Sequence, residues 1–282
     1  MAGPLDIALI QTRTPATSEA GLDHVAPLIR QAASGGARLI LTPEATNRLE
    51  RRSEGRATLM AEADDVAVQG LSALARELGI WLQVGSVMVR AEDDDAGRAA
   101  NRALLIDPEG RITARYDKLH VFDVDLDTGE SWRESKAVRP GDRAVVAETP
   151  WGGLGLSICY DVRFPQLYRD LARARPDVRL IAIPAAFTVP TGEAHWQTLL
   201  RARAIETGAF VLAAAQGGTH EDGRATWGRS TVADPWGKVV AALDHDQPGV
   251  LLARLDLDAV DRARRAIPSL THDRPFRSAS DA

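Results

Sequence analysis

Leu154-Gly155-Leu156-Ser157-Ile158-Cys159-Tyr160-Asp161-Val162-Arg163-Phe164-Pro165 holds the only cysteine of this 282-residue chain. An apolar, β-like run ends at the thiol, a polar turn follows, and a helical pattern starts after Pro165. A side chain at such a strand-to-helix corner is held out at the rim of a sheet, beside the N–H groups of a helix start. Those groups and the helix dipole favour a thiolate. The placement suggests a nucleophile. The competing reading is a small buried apolar side chain, which is what most free cysteines are.

Outward from this corner, strand-like and helical stretches alternate. Ile7–Gln11 reads as a buried strand. Leu22, Val25, Leu28, Ile29 and Ala32 recur at helical spacing, and Gly35-Gly36 stops that helix. Ala37–Thr42 is a second strand, Val66–Leu78 a helix stopped by Gly79, and Trp81–Arg90 a long strand. After Cys159 come a helix (Pro165–Arg173), a strand (Leu180–Pro184), a helix (Ala194–Glu206) and a strand (Phe210–Ala215). Gly249–Leu255 and Ala259–Ile267 add a strand and a short helix. This alternation indicates an α/β layered fold. Asp107-Pro108-Glu109-Gly110 and Asp234-Pro235-Trp236-Gly237 each separate two apolar runs. Proline presets the first turn position and glycine supplies the dihedral after it. They are either two ordinary hairpins or the mark of two similar halves.

Periodicity is lost between Lys118 and Arg143, where Asp117, Asp123, Asp125, Asp127, Glu130, Arg133, Glu134 and Lys136 crowd together. Such a long polar connection is a functional loop or a disordered one; Phe122 and Trp132 within it argue against plain disorder. No clear interdomain linker appears. The chain reads as one domain, 1–282, with Pro268–Ala282 as a tail that is mobile or packed on a partner.

The net charge of -5 argues against nucleic-acid and anionic-membrane partners, which need a basic surface. One cysteine excludes an intrachain disulfide and fits a reducing, cytoplasmic setting. Met1–Ile10 lacks the pattern of a signal peptide, and no apolar run approaches the ~18 residues of a membrane span. The six histidines lack metal-ligand spacing, so no metal or other cofactor is expected.

A cysteine nucleophile needs a base and oxyanion donors. His120, His195 and His220 stand in no recognisable catalytic motif. Glu44, in Leu39-Ile40-Leu41-Thr42-Pro43-Glu44-Ala45, comes directly off an apolar strand, where ligand sites form in open α/β sheets. Lys118 follows the run Arg111–Tyr116 in the same way. Three different groups at three strand exits could converge on one mouth, although a lone Glu or Lys there is usually solvated.

Pro43-Glu44, Tyr116-Asp117-Lys118-Leu119-His120 and Ile158–Pro165 together resemble the Glu–Lys–Cys motifs of the nitrilase superfamily, the carbon–nitrogen hydrolases. The likeness runs from Ile7 to Pro275. Lys118–Asp125, Arg133-Glu134-Ser135, Gly192–Trp196 and Leu200–Thr207 bring it nearest to the branch of deaminated-glutathione amidases and ω-amidases. The resemblance implies a four-layer α-β-β-α sandwich and association as a homodimer or larger assembly. It implies that Cys159 is the nucleophile and Glu44 the general base, then acid, with a carboxyl pKa raised by burial. Lys118 and the Tyr160 backbone N–H would hold the oxyanion, with Glu134 orienting the site. Arg163 would meet a substrate carboxylate, and Phe187, Thr188 and Thr191, in a loop, would form the pocket wall.

Each role has a plainer alternative: a loop ion pair of Glu134 with Lys136 or Arg133, a bridge from Arg163 to Asp161, ordinary loop packing. His120, His195 and Trp196 read as structural, and Arg201, Arg203 and Glu206 as a charge network or dimer contact. The family usually has Glu where this chain has Gln166. The activity implied is hydrolysis of a terminal amide of a small carboxylate-bearing molecule through a thioester, releasing ammonia. Deaminated glutathione is the first candidate. An ω-amidase acting on α-ketoglutaramate or succinamate, or a weakly catalytic binding protein keeping the fold, are the alternatives.

Overall fold

The computed structural model describes residues 3–50, 58–92, 94, 96–125, 129 and 131–276. Its strands, in chain order, are β1 (Leu5–Gln11), β2 (Leu39–Leu41), β3 (Trp81–Arg90), β4 (Ala99–Ile106), β5 (Ile112–Asp117), β6 (Asp123–Asp125), β7 (Ser131–Arg133) and β8 (Val145–Thr149). They continue with β9 (Gly152–Leu156), β10 (Val178–Ala182), β11 (Phe210–Ala213), β12 (Gly217–Thr219), β13 (Ala225–Trp227), β14 (Thr231–Ala233), β15 (Val239–Ala242) and β16 (Gly249–Leu255). The α-helices are α1 (Ser18–Ser34), α2 (Val66–Leu78), α3 (Pro165–Ala174), α4 (Val189–Thr207) and α5 (Asp258–Ala266).

Two six-stranded sheets form the centre, in the orders β16-β1-β2-β3-β4-β5 and β15-β14-β11-β10-β9-β8. In the first, β1, β2 and β3 run parallel, β4 and β5 follow antiparallel, and β16 adds antiparallel at the far edge. In the second, β9, β10 and β11 run parallel, β14 and β15 follow antiparallel, and β8 closes the far edge antiparallel. One plan is therefore built twice. The two Asp-Pro-x-Gly turns occupy equivalent places, joining β4 to β5 and β14 to β15. In each, one aspartate oxygen accepts the N–H groups two and four residues on: Asp107 from Glu109 (3.0 Å) and Arg111 (2.9 Å), Asp234 from Trp236 and Lys238 (both 2.9 Å). Gly110 and Gly237 carry φ of 81° and 80°, which a side chain would resist. Of the two readings of these turns, similar halves is the one the structure has.

Residues along a strand alternate between two apolar layers. Leu5, Ile7 and Leu9 pack with Leu154, Leu156 and Leu180 of the other sheet. Ala8 and Ile10 pack with Val25 and Ile29 of α1 and Leu71 and Leu74 of α2. Leu167 and Leu171 of α3 and Leu200 and Ala204 of α4 join the inter-sheet cluster from the other side. The result is the expected four-layer α-β-β-α sandwich, each buried Leu contributing about 1.5–3 kcal/mol. Capping places the helices: Asp65 accepts from the N–H groups of Ala67 and Val68, both at 3.0 Å, and Gly79 ends α2 in the left-handed region at φ 63°.

Three details differ from the sequence reading. The polar connection after Lys118 contains a two-stranded ribbon, β6 with β7, and a 3-10 turn, Glu134–Lys136; three-residue strands are too short to show a period. Asp127 and Glu130 of that connection lie outside the described residues. The second long helix, expected from Ala194, starts at Val189, because Pro190 suits a first helical turn. Thr191 thus belongs to that helix rather than to a loop. The tail touches its own chain as far as Asp273: Ser269–Thr271 form a 3-10 turn, and Asp273 pairs with Arg169 and Arg173 of α3, while Phe276 is 92% exposed. Residues 277–282 lie outside the described residues.

The chain is tightly packed around Gly85, in β3, which meets Pro184 of the other half. A Cβ there would fall 2.0 Å from the Thr42 carbonyl oxygen, 2.4 Å from Pro184 Cβ and 2.6 Å from the Pro43 carbonyl oxygen. Gly85→Ala is expected to cost about 1–3 kcal/mol through forced backbone shifts. Calorimetry against Gly3→Ala, where nothing lies within 4 Å, checks this; equal melting temperatures would refute it.

Candidate active site

Glu44, Lys118 and Cys159 follow β2, β5 and β9, as the strand-exit reading anticipates. The Glu44 segment is stitched into a tight buried turn. Thr46 Oγ1 donates to the Pro43 carbonyl at 2.7 Å, the Ala45 N–H donates to Ser86 Oγ at 2.8 Å, and Gln216 Nε2 donates to the Glu44 carbonyl at 2.8 Å. Cys159 opens a 3-10 turn, Cys159–Arg163. Ala45 and Cys159 adopt φ of 57° and 51°, left-handed conformations that cost non-glycine residues about 1–3 kcal/mol and persist where surroundings over-determine them. Here the Cys159 N–H donates to the Pro184 carbonyl at 2.8 Å.

The side chains converge. Lys118 Nζ lies 2.9 Å from Glu44 Oε1, and 3.0 Å and 2.9 Å from the two carboxylate oxygens of Glu134. The Lys118 side chain is 2% exposed and that of Glu44 8%. Glu44 also accepts from Asn101 Nδ2 at 2.8 Å, from the Ala186 N–H at 2.9 Å and from the Cys159 thiol. The Phe122 N–H donates to Glu134 Oε2 at 2.6 Å.

Burial and charge set the protonation states. Burial pushes the Glu44 carboxyl up, but the Lys118 charge and the hydrogen bonds from Lys118, Cys159 and Asn101 outweigh it, leaving the pKa below the ordinary value. Glu44 is a carboxylate at rest, not the raised acid that burial alone suggested. Burial likewise disfavours the Lys118 charge, yet Glu134 and Glu44 hold its pKa well above the usual one. The Cys159 thiol is pushed well up, by burial first and by Glu44 next, against the pull of Lys118. The expected resting thiolate is therefore reversed. A five-residue 3-10 turn has little dipole to offer, and an anion already stands beside the sulfur.

Asp161 ties this corner to the Lys118 segment. Its carboxylate is fully buried. One oxygen accepts from the Ile158 N–H (2.8 Å) and Tyr116 OH (2.6 Å), and the other from the His120 N–H at 3.0 Å, with His120 Nδ1 at 2.7 Å. His120 also stacks on Phe164, ring centroids 3.5 Å apart. The proposed bridge from Arg163 to Asp161 is absent: Arg163 Nη1 lies 3.3 Å from His195 Nδ1, and its guanidinium lies over Tyr160 and Phe187. Glu134 pairs with Lys118, while Arg133 pairs with Asp125. Trp196 is buried and donates to the Arg229 carbonyl at 3.0 Å. Arg203 donates to the Val162 carbonyl at 2.8 Å and to Glu206 at 2.9 Å, a network within the chain.

A cavity of about 380 Å³ opens over Cys159, at the low end of the range for small-molecule sites. Tyr160, Arg163, Phe187, Thr188 and Thr191 all line it with Glu44, Lys118 and Glu134. Sequence reasoning missed Asn101, Asp161, Ala186 and Arg48. Asn101 had a signal: it is a polar residue inside the apolar run Ala99–Ile106, and it is buried. A thiol, a carboxylate and an ammonium at this separation make a set suited to nucleophilic attack with proton transfer. Among the described residues no group of three or more His, Cys, Asp or Glu side chains is placed to hold a metal ion, and no helix is long and apolar enough to cross a membrane.

Known proteins share this sequence pattern and this fold. The carbon-nitrogen hydrolase family model matches residues 6–265. The deaminated glutathione amidase of Yersinia enterocolitica is 39% identical over 95% of this chain and 93% of its own length. The C. elegans NitFhit protein superposes with a TM-score of 0.89 at 36% identity, over 97% of this chain and 66% of that longer one. The amidase from Nesterenkonia sp. AN1, solved with acrylamide added at its active-site cysteine, superposes with a TM-score of 0.76 at 28% identity, over 94% of this chain and 98% of that one. This chain belongs to the carbon–nitrogen hydrolase family, and it is an amidase of the nitrilase superfamily.

Proposed function

We propose that the chain hydrolyses the amide of deaminated glutathione through a thioester on Cys159. The observation that carries this reading is the buried Glu44–Lys118–Cys159 cluster, with Glu134 behind it, at the floor of a cavity that also holds Arg163. Relatives named deaminated glutathione amidase supply the substrate, and the modified cysteine of the Nesterenkonia amidase supports the nucleophile. In deaminated glutathione the amide nitrogen belongs to cysteinylglycine. The leaving group on that substrate is therefore the dipeptide's amine rather than ammonia.

The steps follow from the resting charges. Glu44 takes the thiol proton as sulfur attacks the carbonyl carbon, so that no free thiolate accumulates. The carbonyl electrons pass to oxygen, which accepts from Lys118 and the Tyr160 N–H. All three Lys118 donors meet carboxylate oxygens at rest, so the oxyanion replaces one of the two Glu134 contacts. Protonated Glu44 delivers its proton to the departing nitrogen as the C–N bond breaks. Water then gives a proton to Glu44 and attacks the thioester; the sulfur leaves and recovers that proton. Arg163 holds the substrate carboxylate, with Phe187, Thr188 and Thr191 as the wall.

The chain is further proposed to work as one domain, in the cytoplasm, as a homodimer or larger assembly. Ile205 (56% exposed) and Trp236 (61% exposed) give such an assembly apolar surface to cover. The ω-amidase reading, on α-ketoglutaramate or succinamate, needs only the Arg163 side of the cavity.

Cys159→Ala is expected to abolish release of cysteinylglycine, and Glu44→Gln to slow it by about 10³-fold; assay of the freed amine decides, and retained turnover in Cys159→Ala would overturn the mechanism. Because catalysis needs ionised Glu44 and its pKa is depressed, the acid limb of kcat/KM should lie below the usual glutamate range of about 4.3. Asn101→Ala removes a bond to the ionised form. The limb should then move to higher pH, with kcat/KM down about tenfold; an unmoved limb would show that Asn101 does not position Glu44. Asp161→Ala strands buried donors and should cost about 3 kcal/mol in denaturant unfolding.

A further inference from the structure

Arg48 is 8% exposed and lines the cavity, four residues beyond Glu44 in the same buried segment. Among the described residues its hydrogen bonds go to Thr58, at 2.9 Å to Oγ1 and 3.5 Å to the carbonyl oxygen. Of the other arginines at the cavity wall, Arg133 is neutralised by Asp125 and Arg224 by Asp222. Arg48 and Arg163 have no carboxylate partner among the described residues. A buried guanidinium at the wall of a ligand cavity is a ready site for an anion in bidentate contact.

Resting on the function proposed above, we infer that Arg48 is a specificity-determining residue that binds a second carboxylate, on the leaving-group half of the substrate. The placement follows from the chemistry. Glu44 delivers its proton to the departing nitrogen, and Arg48 belongs to the Glu44 segment. Arg163 belongs to the Cys159 turn, whose sulfur keeps the acyl half. The site is thus divided: Arg163 reads the carboxylate of the acyl group and Arg48 that of the amine that leaves. The substrate class is a dianionic amide whose leaving amine ends in a carboxylate, which deaminated glutathione is and a primary amide such as succinamate is not.

Two substrates that differ only in that charge test the idea: deaminated glutathione and its glycine-terminal amide. Wild type is expected to prefer the acid in kcat/KM on the order of 10²-fold, the size of one charge-assisted contact. In Arg48→Met the preference should fall to within about 3-fold, and in Arg48→Lys it should be partly kept. A purely structural role would slow both substrates alike and leave the ratio intact. A wild-type ratio near one, or a ratio that survives Arg48→Met, overturns the inference while leaving the proposed function standing. If Arg48→Met fails to fold, the wild-type ratio and Arg48→Lys decide. Hydrolysis of neither peptide by wild type removes the function reading, and this inference with it.

Discussion

One ammonium group shared by two carboxylates, away from water, governs this molecule. Lys118 is the common partner of Glu44 and Glu134, which approach from different loops. Three charged groups in one desolvated place are tolerable only when each is paired and hydrogen-bonded. That condition accounts for the Asn101 amide, the Ala186 N–H and the Phe122 N–H. The cluster carries one excess negative charge, and the neighbouring sulfur must share its space. A second anion there is strongly disfavoured, so the thiol keeps its proton at rest. Burial of the sulfur comes first in holding that proton, and the neighbouring negative charge second.

The doubled sheet supplies the rigid frame. Parallel strands end together, and the loops leaving β2, β9 and β10 meet over the seam between the sheets. Backbone strain at Ala45 and Cys159 is held by hydrogen bonds from different elements, so position is determined from several directions at once. Asp161 is the clearest case. A residue with no place in the chemistry binds the segment carrying Lys118 to the one carrying Cys159.

Much of this was legible in the residues because the candidate site sits at element boundaries. Glu44, Lys118 and Cys159 each follow an apolar run, and the Asp-Pro-x-Gly turns announce hairpins by dihedral preference alone. What escaped depends on neighbours remote in sequence. Asn101 is polar inside an apolar strand, and only the folded chain shows which carboxylate it faces. Arg48 heads the charged run Arg48-Leu49-Glu50-Arg51-Arg52, a composition typical of solvated surface. The direction of the Glu44 and Cys159 pKa shifts was misjudged for the same reason: burial can be guessed from sequence, but the balance between burial and a partner charge is decided by distances.

The ribbon β6–β7 bears on how the site assembles. Two strands of three residues are marginal on their own. The Glu134 turn that follows is fastened instead by Lys118 and by the Phe122 amide. The end of the ribbon and the charge cluster therefore share the same contacts. The Phe122 amide proton is consequently a natural sentinel, exchanging with solvent whenever that corner opens, even while the sandwich beneath it stays folded.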